Sequence, residues 1–285
     1  MANEATYDGI KTLVANVYNN AIHAAVEGNV ISPHIEVWQD SDSPAPRVFG
    51  SYSGGTFLAV AESADNTAQA FNAASAGTLT PAVYAQMIEM TNRRLRAEPG
   101  RAQREAGVHL GNTLASAVDT QLAGLFDDLT GGTVYGGGTA NVGGTLSWAN
   151  IFYAQAVLRT KKVGAPYTCV MHPVQWYYLT SAASGVPTLM QSEAIKDSVV
   201  GTFYQASFGG IDFYVDANIT SGTAAVGAMF VRDAMVLDIR QPFKIEPQYF
   251  AKISGNGGWE INASMEYAYG VYQPTHGVTL MGTSK

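Results

Sequence analysis

Apolar side chains recur every four residues at Ala102, Ala106, Leu110, Leu114, Val118 and Leu122, which predicts one uninterrupted helix over Arg101–Phe126. At 1.5 Å per residue this is a rod of roughly 39 Å. Each step of four overshoots a full turn by about 40°, so the stripe winds around the rod. A helix lying on one sheet needs only a straight face about 100° wide, whereas a winding stripe predicts different partners along the length. Gly107 and Gly111 sit inside this helix at about 1 kcal/mol each relative to alanine. They permit either close approach of another backbone or a bend.

Around this rod the pattern predicts alternating helices and strands. Ile10, Leu13, Val14, Val17, Tyr18, Ala21 and Ala25 fall at helical spacing over Tyr7–Glu27, with Thr6 as a cap and Gly28-Asn29 as a stop. This is either a packed terminal helix or an arm docking on a neighbouring subunit. Val30–Trp38 and Val48–Val60 read as two β-prone runs joined by the polar tip 39–47, a long hairpin. Leu79–Leu95 fits both a helix begun at Thr80-Pro81 and a strand alternating Val83, Ala85 and Met87. Thr130–Gly144 is so rich in glycine that it reads as a loop and a domain boundary.

A helix then runs from a Ser147 cap toward Lys161, with Trp148, Ile151, Phe152 and Leu158 on its apolar side. Tyr167–Met171 is a strand. His172-Pro173 opens a short helix through Ala183 with Trp176 and Leu179 inward. Phe203–Ala217 is a hairpin around Gly209-Gly210. Met229–Tyr249 holds strands broken by Pro242 and Pro247, and Trp259–Leu280 alternates with Ile261, Ala263, Met265, Tyr267 and Tyr269 on one face.

Composition adds a hint about surroundings. The 285 residues can bury a substantial core in one or two domains. Hydrophobic residues make up 47% and charged residues 14%, so the chain is globular but poor in the solvated charge of a free monomer. Much of its surface is expected to face other protein. A net charge of −7 argues against general binding of nucleic acid or anionic membranes. No stretch approaches 18 apolar residues, and MANEATYDGIKTL lacks the basic and apolar regions of a signal peptide. The single cysteine, Cys169, allows no intrachain disulfide or multi-cysteine metal site and fits an intracellular, reducing origin.

Reactive chemistry finds no constellation. His23, His34, His109, His172 and His276 show no metal-ligand spacing. Cys169 precedes His172 by three residues on a strand entering a helix, an offset that does not bring thiol to imidazole, so it reads as a buried structural cysteine. Gly131–Gly137 imitates a phosphate-binding loop but has Gly137 where lysine must stand. Gly50–Gly54 has Tyr52 where a nucleophile elbow needs serine. No catalytic, cofactor-binding or metal-binding residue is predicted. The candidates are contact residues. Arg93, Arg94, Arg96, Arg101 and Arg104 form a basic cluster, either a solvated helix entry with local salt bridges or an interface to acidic neighbours or phosphate. Asp40, Asp42 and Arg47 mark the hairpin tip, either solvated or pairing with another copy.

In order, LTPAVYAQMIEMTNRRL, VDTQLAGLF, WANIFYAQAVLRTKK, YTCVMHPVQWYYLTSA, GTFYQASFGGIDFYVDANI, GAMFVRDAMVLDIRQPFKIEP and GWEINASMEYAYGVYQPTHGVTLM resemble the major capsid protein of tailed bacteriophages, with its Hong Kong 97-type fold. The order carries the resemblance, which covers Leu79–Leu280 well, 30–62 less fully and the first helix poorly. It implies an α+β fold with an N-terminal arm (1–29), an extended loop hairpin (30–62), a peripheral domain (63–128 and 241–285) containing the spine helix 101–126, and an axial domain (129–240). It also settles Ala82–Met90 as strand. The implied function is self-assembly, through pentamers and hexamers, into an icosahedral shell enclosing double-stranded DNA without sequence-specific binding. Further implied partners are a separate scaffolding protein, a portal and decoration proteins, with no cofactor and no membrane. The implied location is the virion, assembled in the bacterial host cytoplasm. An encapsulin-like nanocompartment shares the fold and is the alternative; a free α+β enzyme or binding module is the other.

Overall fold

The computed structural model describes residues 14–24, 29–39, 44–52, 73–137, 143–181, 204–251 and 257–285. Residues 14–24 form helix α1, a 3₁₀ turn follows at Ser32–His34, and strand β1 spans Glu36–Gln39. Strands β2 (Arg47–Tyr52), β3 (Ala73–Leu79) and β4 (Ala82–Thr91) lead through α2 (Asn92–Ala97) into the spine helix α3 (Pro99–Gly124). Beyond it lie β5 (Thr133–Tyr135), α4 (Trp148–Thr160), β6 (Tyr167–Met171), α5 (Pro173–Ser181), β7 (Tyr204–Phe208) and β8 (Ile211–Val215). The chain closes with β9 (Ala225–Phe230), β10 (Met235–Phe250), β11 (Gly258–Val271) and β12 (Gly277–Gly282).

Two sheets carry the architecture, a four-stranded one in the order β1-β10-β11-β4 and a six-stranded one in the order β5-β12-β9-β6-β8-β7. The spine helix serves both. Its Ala102, Ala106 and Leu110 pack with Met90, Ile261 and Ala263 of the four-stranded sheet. Its Val118 and Leu122, with Phe126 just beyond, pack with Val170, Ala228 and Phe230 of the six-stranded sheet and with Tyr267. The winding stripe therefore has the cause predicted for it, a change of partner along the rod.

Local signals explain several boundaries. Ser147 caps α4: the Asn150 N–H donates to its Oγ at 3.4 Å, and its own N–H donates to Asn150 Oδ1 at 3.0 Å, a reciprocal capping box. Trp148, Ile151 and Leu158 are buried against Phe213, Met229 and Leu280, while Phe152 remains 36% exposed. Gly209 and Gly210 take φ of 62° and 82° between β7 and β8, the paired positive angles that match a two-residue turn to strand twist. Ala82–Met90 is strand, as the resemblance implied. The spine helix starts two residues earlier than predicted and passes into a 3₁₀ turn at Leu125–Asp128.

Other expectations are corrected. Among the described residues, the runs on either side of 39–47 do not pair with each other: β1 lies parallel to β10, Glu36 opposite Val236, and β2 pairs with β3; 53–60 of the second run lie outside the described residues. The polar tip links two sheets, and the hairpin is β2–β3. Its pairing is favoured by Gly77, where a Cβ would meet the Phe49 ring at 2.6 Å. The glycine-rich stretch is not all loop, because β5 pairs in parallel with β12, Thr133 opposite Thr279. Pro242 and Pro247 do not break β10. Among the described residues, that strand has a neighbour on one side only beyond Ile239, a position that tolerates a missing N–H, and register shifts between Ile239 and Lys244 absorb the irregularity. The last alternating run is two strands in different sheets, separated by the 3₁₀ turn Pro274–His276, with β12 in the six-stranded sheet.

Candidate functional site

Three contact regions come from these elements. The first is the corner where α2 turns into α3. It brings Arg93, Arg94, Arg96, Arg101 and Arg104 together, all exposed. Glu105 accepts from Arg94 Nη2 and from Arg101 Nε, each at 2.8 Å, and Arg101 also lies 3.7 Å from Glu98. These bonds, that of Arg101 foremost, hold the Glu105 carboxyl below its usual range. Arg93, Arg96 and Arg104 form no ion pair among the described residues. Arg101 and Arg104 also occupy the first turns of α3, the positive end of the helix dipole, where cations are disfavoured.

The second region is the base of the β2–β3 hairpin. Asp238, fully buried, lies 2.8 Å from Arg240 Nη2 and 3.6 Å from Arg47 Nη1. The Arg47 guanidinium sits 4.8 Å above the Trp38 ring, and Trp38, Phe49 and Tyr272 meet edge to face. Arg47, expected at an exposed tip, thus clamps the hairpin to its own sheet. Asp40 and Asp42 lie outside the described residues.

The third region is the junction of α1, the spine and the six-stranded sheet. A Cβ on Gly107 would lie 2.6 Å from the Val17 carbonyl oxygen, and one on Gly111 would overlap the Ala21 carbonyl. The two glycines therefore let α1 rest on the spine backbone to backbone. Eight residues on, buried Asp119 accepts from the Val30 N–H at 2.7 Å and the Ile31 N–H at 3.2 Å. Burial raises its pKa to about 7, against these bonds and with help from the charge of Asp216. Asp216 accepts from the N–H and Nδ2 of Asn218 at 2.8 and 2.9 Å, and its pKa too is raised by burial. Ser116 of the spine donates to Asn218 at 2.8 Å. Burial lowers the pKa of His172 and of His34, whose ring lies 4.0 Å from that of Tyr214.

Asp119, Asp216, Asp238 and Arg240 escaped prediction. Their signal was a charge embedded in an apolar run, Asp119 beside Val118 in the spine stripe and Asp238 within Met235–Ile239.

None of this is arranged as reaction chemistry. Cys169 is buried, which pushes its thiol pKa up. Among the described residues, no group of His, Cys, Asp and Glu is placed to hold a metal, and no helix is long and apolar enough to cross a membrane. A cavity of about 150 Å³ between α3 and the four-stranded sheet, lined by residues such as Leu110, Leu114, Phe243 and Met265, has no ionised side chain in its wall. The three regions hold segments of chain against one another.

The family model described as phage capsid protein matches residues 76–280. The chain belongs to the phage capsid protein family. The capsid subunit has the α+β, Hong Kong 97-type fold, and its place is in the shell of a virion. Its structure is similar to the head structure of Helicobacter pylori bacteriophage KHP40, with a TM-score of 0.66 at 11% identity over 87% of this chain and 88% of that one. The capsid of Ralstonia phage GP4 gives 0.65 at 14% identity over 88% and 87%. The virus-like particle from Pyrococcus furiosus gives 0.60 at 10% identity over 94% and 98%. At these identities the likenesses speak to fold alone. No curated protein matches the sequence.

Proposed function

We propose that this major capsid protein assembles through pentamers and hexamers into an icosahedral shell around the double-stranded DNA of a tailed bacteriophage. The observation that carries the reading is the family match across 76–280, on a chain whose long spine helix is shared by two sheets. Self-assembly fits a surface with few charges, since each subunit buries contact area on several sides. Residues 1–29 act as the N-terminal arm, and the β2–β3 hairpin acts as the extended loop over a neighbouring subunit. The four-stranded sheet with the spine forms the peripheral part, and the six-stranded sheet the axial part that meets around five-fold and six-fold centres. Scaffolding, portal and decoration proteins are separate chains, and assembly takes place in the host cytoplasm. The role is structural, with no catalytic step.

Electron microscopy of the expressed chain, alone and with its scaffold, tests the reading. Closed icosahedral particles are expected, and native particles are expected to contain double-stranded DNA. A protein cargo in place of DNA would favour a nanocompartment. A folded chain near 30 kDa that never leaves the monomeric state would overturn both.

A further inference from the structure

One face of the four-stranded sheet is covered by the spine helix; among the described residues, the other is covered at one end only. There Leu79, Trp38 and Phe49 pack over Val236 and Ala268. Towards the far end β4 turns Val83, Ala85, Met87 and Glu89 away from the spine, in register with Glu266, Ser264, Asn262 and Glu260 of β11. Val83 is 66% exposed and Met87 56%. No described residue covers them, so among the described residues an apolar centre stands open on this sheet.

Charge identifies what covers it. Among the described residues, Glu89, Glu246, Glu260 and Glu266 share this end of the face with one cation, Lys244, which pairs with Glu246 at 3.2 Å. Glu89 and Glu260 stand directly opposite each other, a like-charge cross-strand pair that opposes sheet formation. Neither forms an ion pair among the described residues. Four carboxylates against one ammonium leave a surplus of three negative charges. The α2–α3 corner has the complementary surplus, five arginines against Glu98 and Glu105, with Arg93, Arg96 and Arg104 in no ion pair among the described residues. Both surfaces lie at the same end of the sheet, where Thr91 pairs with Gly258 and the Asn92 N–H donates to the Gly257 carbonyl at 3.1 Å. Two surfaces so placed on one chain satisfy each other between copies, by a two-fold axis or by a closed ring.

We propose that the open end of this sheet face docks the arginine corner of a second copy of the chain. Resting on the capsid reading, this deepens it by naming the two faces of one subunit contact. Val83, Ala85 and Met87 form the apolar centre of the contact, and the carboxylates and guanidiniums form its charged rim. Guanidinium forks on paired carboxylates also fix the register of the two copies.

Charge reversal tests the contact. Arg93→Glu/Arg96→Glu and Glu89→Arg/Glu260→Arg each place like charges across it. Each is expected to lower the yield of capsomers or shells, measured by sedimentation, roughly tenfold. A chain carrying all four substitutions restores opposite charges and is expected to recover to within about twofold. Unchanged assembly after either reversal, or no recovery in the combined chain, overturns the contact. Should a reversed chain fail to fold, as read by circular dichroism, Arg93→Gln/Arg96→Gln and Glu89→Gln/Glu260→Gln decide in the same way: weakened assembly supports the contact and unchanged assembly removes it. If the wild-type chain assembles while the variants match it, the capsid reading stands and this contact falls. If the wild-type chain stays monomeric, both fall.

Discussion

The backbone carbonyl of Val17 in α1 faces the α-carbon of Gly107 in the spine so closely that a Cβ there would lie 2.6 Å from the oxygen, and Gly111 repeats the relation one turn on against Ala21. The obstruction is backbone, so it cannot rotate away. Gly107→Ala and Gly111→Ala are each expected to destabilise the docking of α1 by about 1–3 kcal/mol, less the roughly 1 kcal/mol that alanine returns in helix propensity. Hydrogen exchange over residues 14–24 reads this directly: protection drops there while the spine itself stays protected. Equal protection in the double variant would restore a bend as the reason for the glycines.

Asp119 holds the entry to the Ser32–His34 turn, and burial raises its pKa to about 7 from the usual value near 3.9. Because the folded value is the higher one, the folded state binds the proton more tightly. The resulting stability is complete below about pH 4 and is lost as pH rises through about 7. Asp119→Asn fixes the neutral form. The stability of the wild-type subunit relative to this variant is therefore expected to fall between pH 4 and 7.5 by a few kcal/mol, read from urea midpoints at each pH. Asp216, also raised by burial, stays in both chains, and because its charge helps raise Asp119 the difference between the curves reports the two carboxylates as a pair. Parallel curves would mean that the buried carboxylate is already ionised at low pH.

Much of the fold was legible because local physics and tertiary structure agreed. The spine stripe of Ala102 to Leu122, the Ser147 cap and the Gly209-Gly210 turn each specify an element from a few residues. The misses share a cause, which is that a strand's partner is chosen far away in sequence. Nothing local distinguishes β1 pairing with β10, near residue 236, from β1 pairing with β2 eight residues on. Pro242 and Pro247 argue against a strand unless the open edge of β10 is known. The contact residues followed the same rule. The arginine corner was visible as a dense run, but Asp238 and Arg47, distant in sequence, became one site only when β2 came to lie over β10.

Asp238 is the buried end of a three-member charge group, and its two arginines differ in exposure. Arg240 is buried, while Arg47 remains partly exposed. Asp238→Ala strands both cations and is expected to destabilise the subunit by about 3–5 kcal/mol. Arg47→Ala leaves Asp238 paired with Arg240 and loses chiefly the contact over Trp38, about 1 kcal/mol. Thermal or urea unfolding checks the ranking. Equal effects would show that the packing of the hairpin base, and not its charge, holds β2–β3 in place.

Gln175 of α5 is fully buried and spans three strand ends with one side chain. Its Nε2 donates to the carbonyls of Ala225 and Gly282, at 2.9 and 3.1 Å, and its Oε1 accepts from the His172 N–H at 3.1 Å. It thereby ties the start of β9 and the end of β12 to the helix that follows β6. Gln175→Leu keeps the volume and leaves three buried backbone groups without that partner, each with a desolvation penalty of about 1–3 kcal/mol. Relaxation and water entry offset part of it, so a net loss of about 3 kcal/mol in unfolding free energy is expected. Gln175→Glu keeps the acceptor for the His172 N–H but sets a carboxylate against two carbonyls, so it is expected to be at least as damaging at neutral pH and to recover partly on acidification. A leucine variant as stable as the wild type would show that water replaces the amide, and would move the anchoring of β12 to its ladders with β5 and β9.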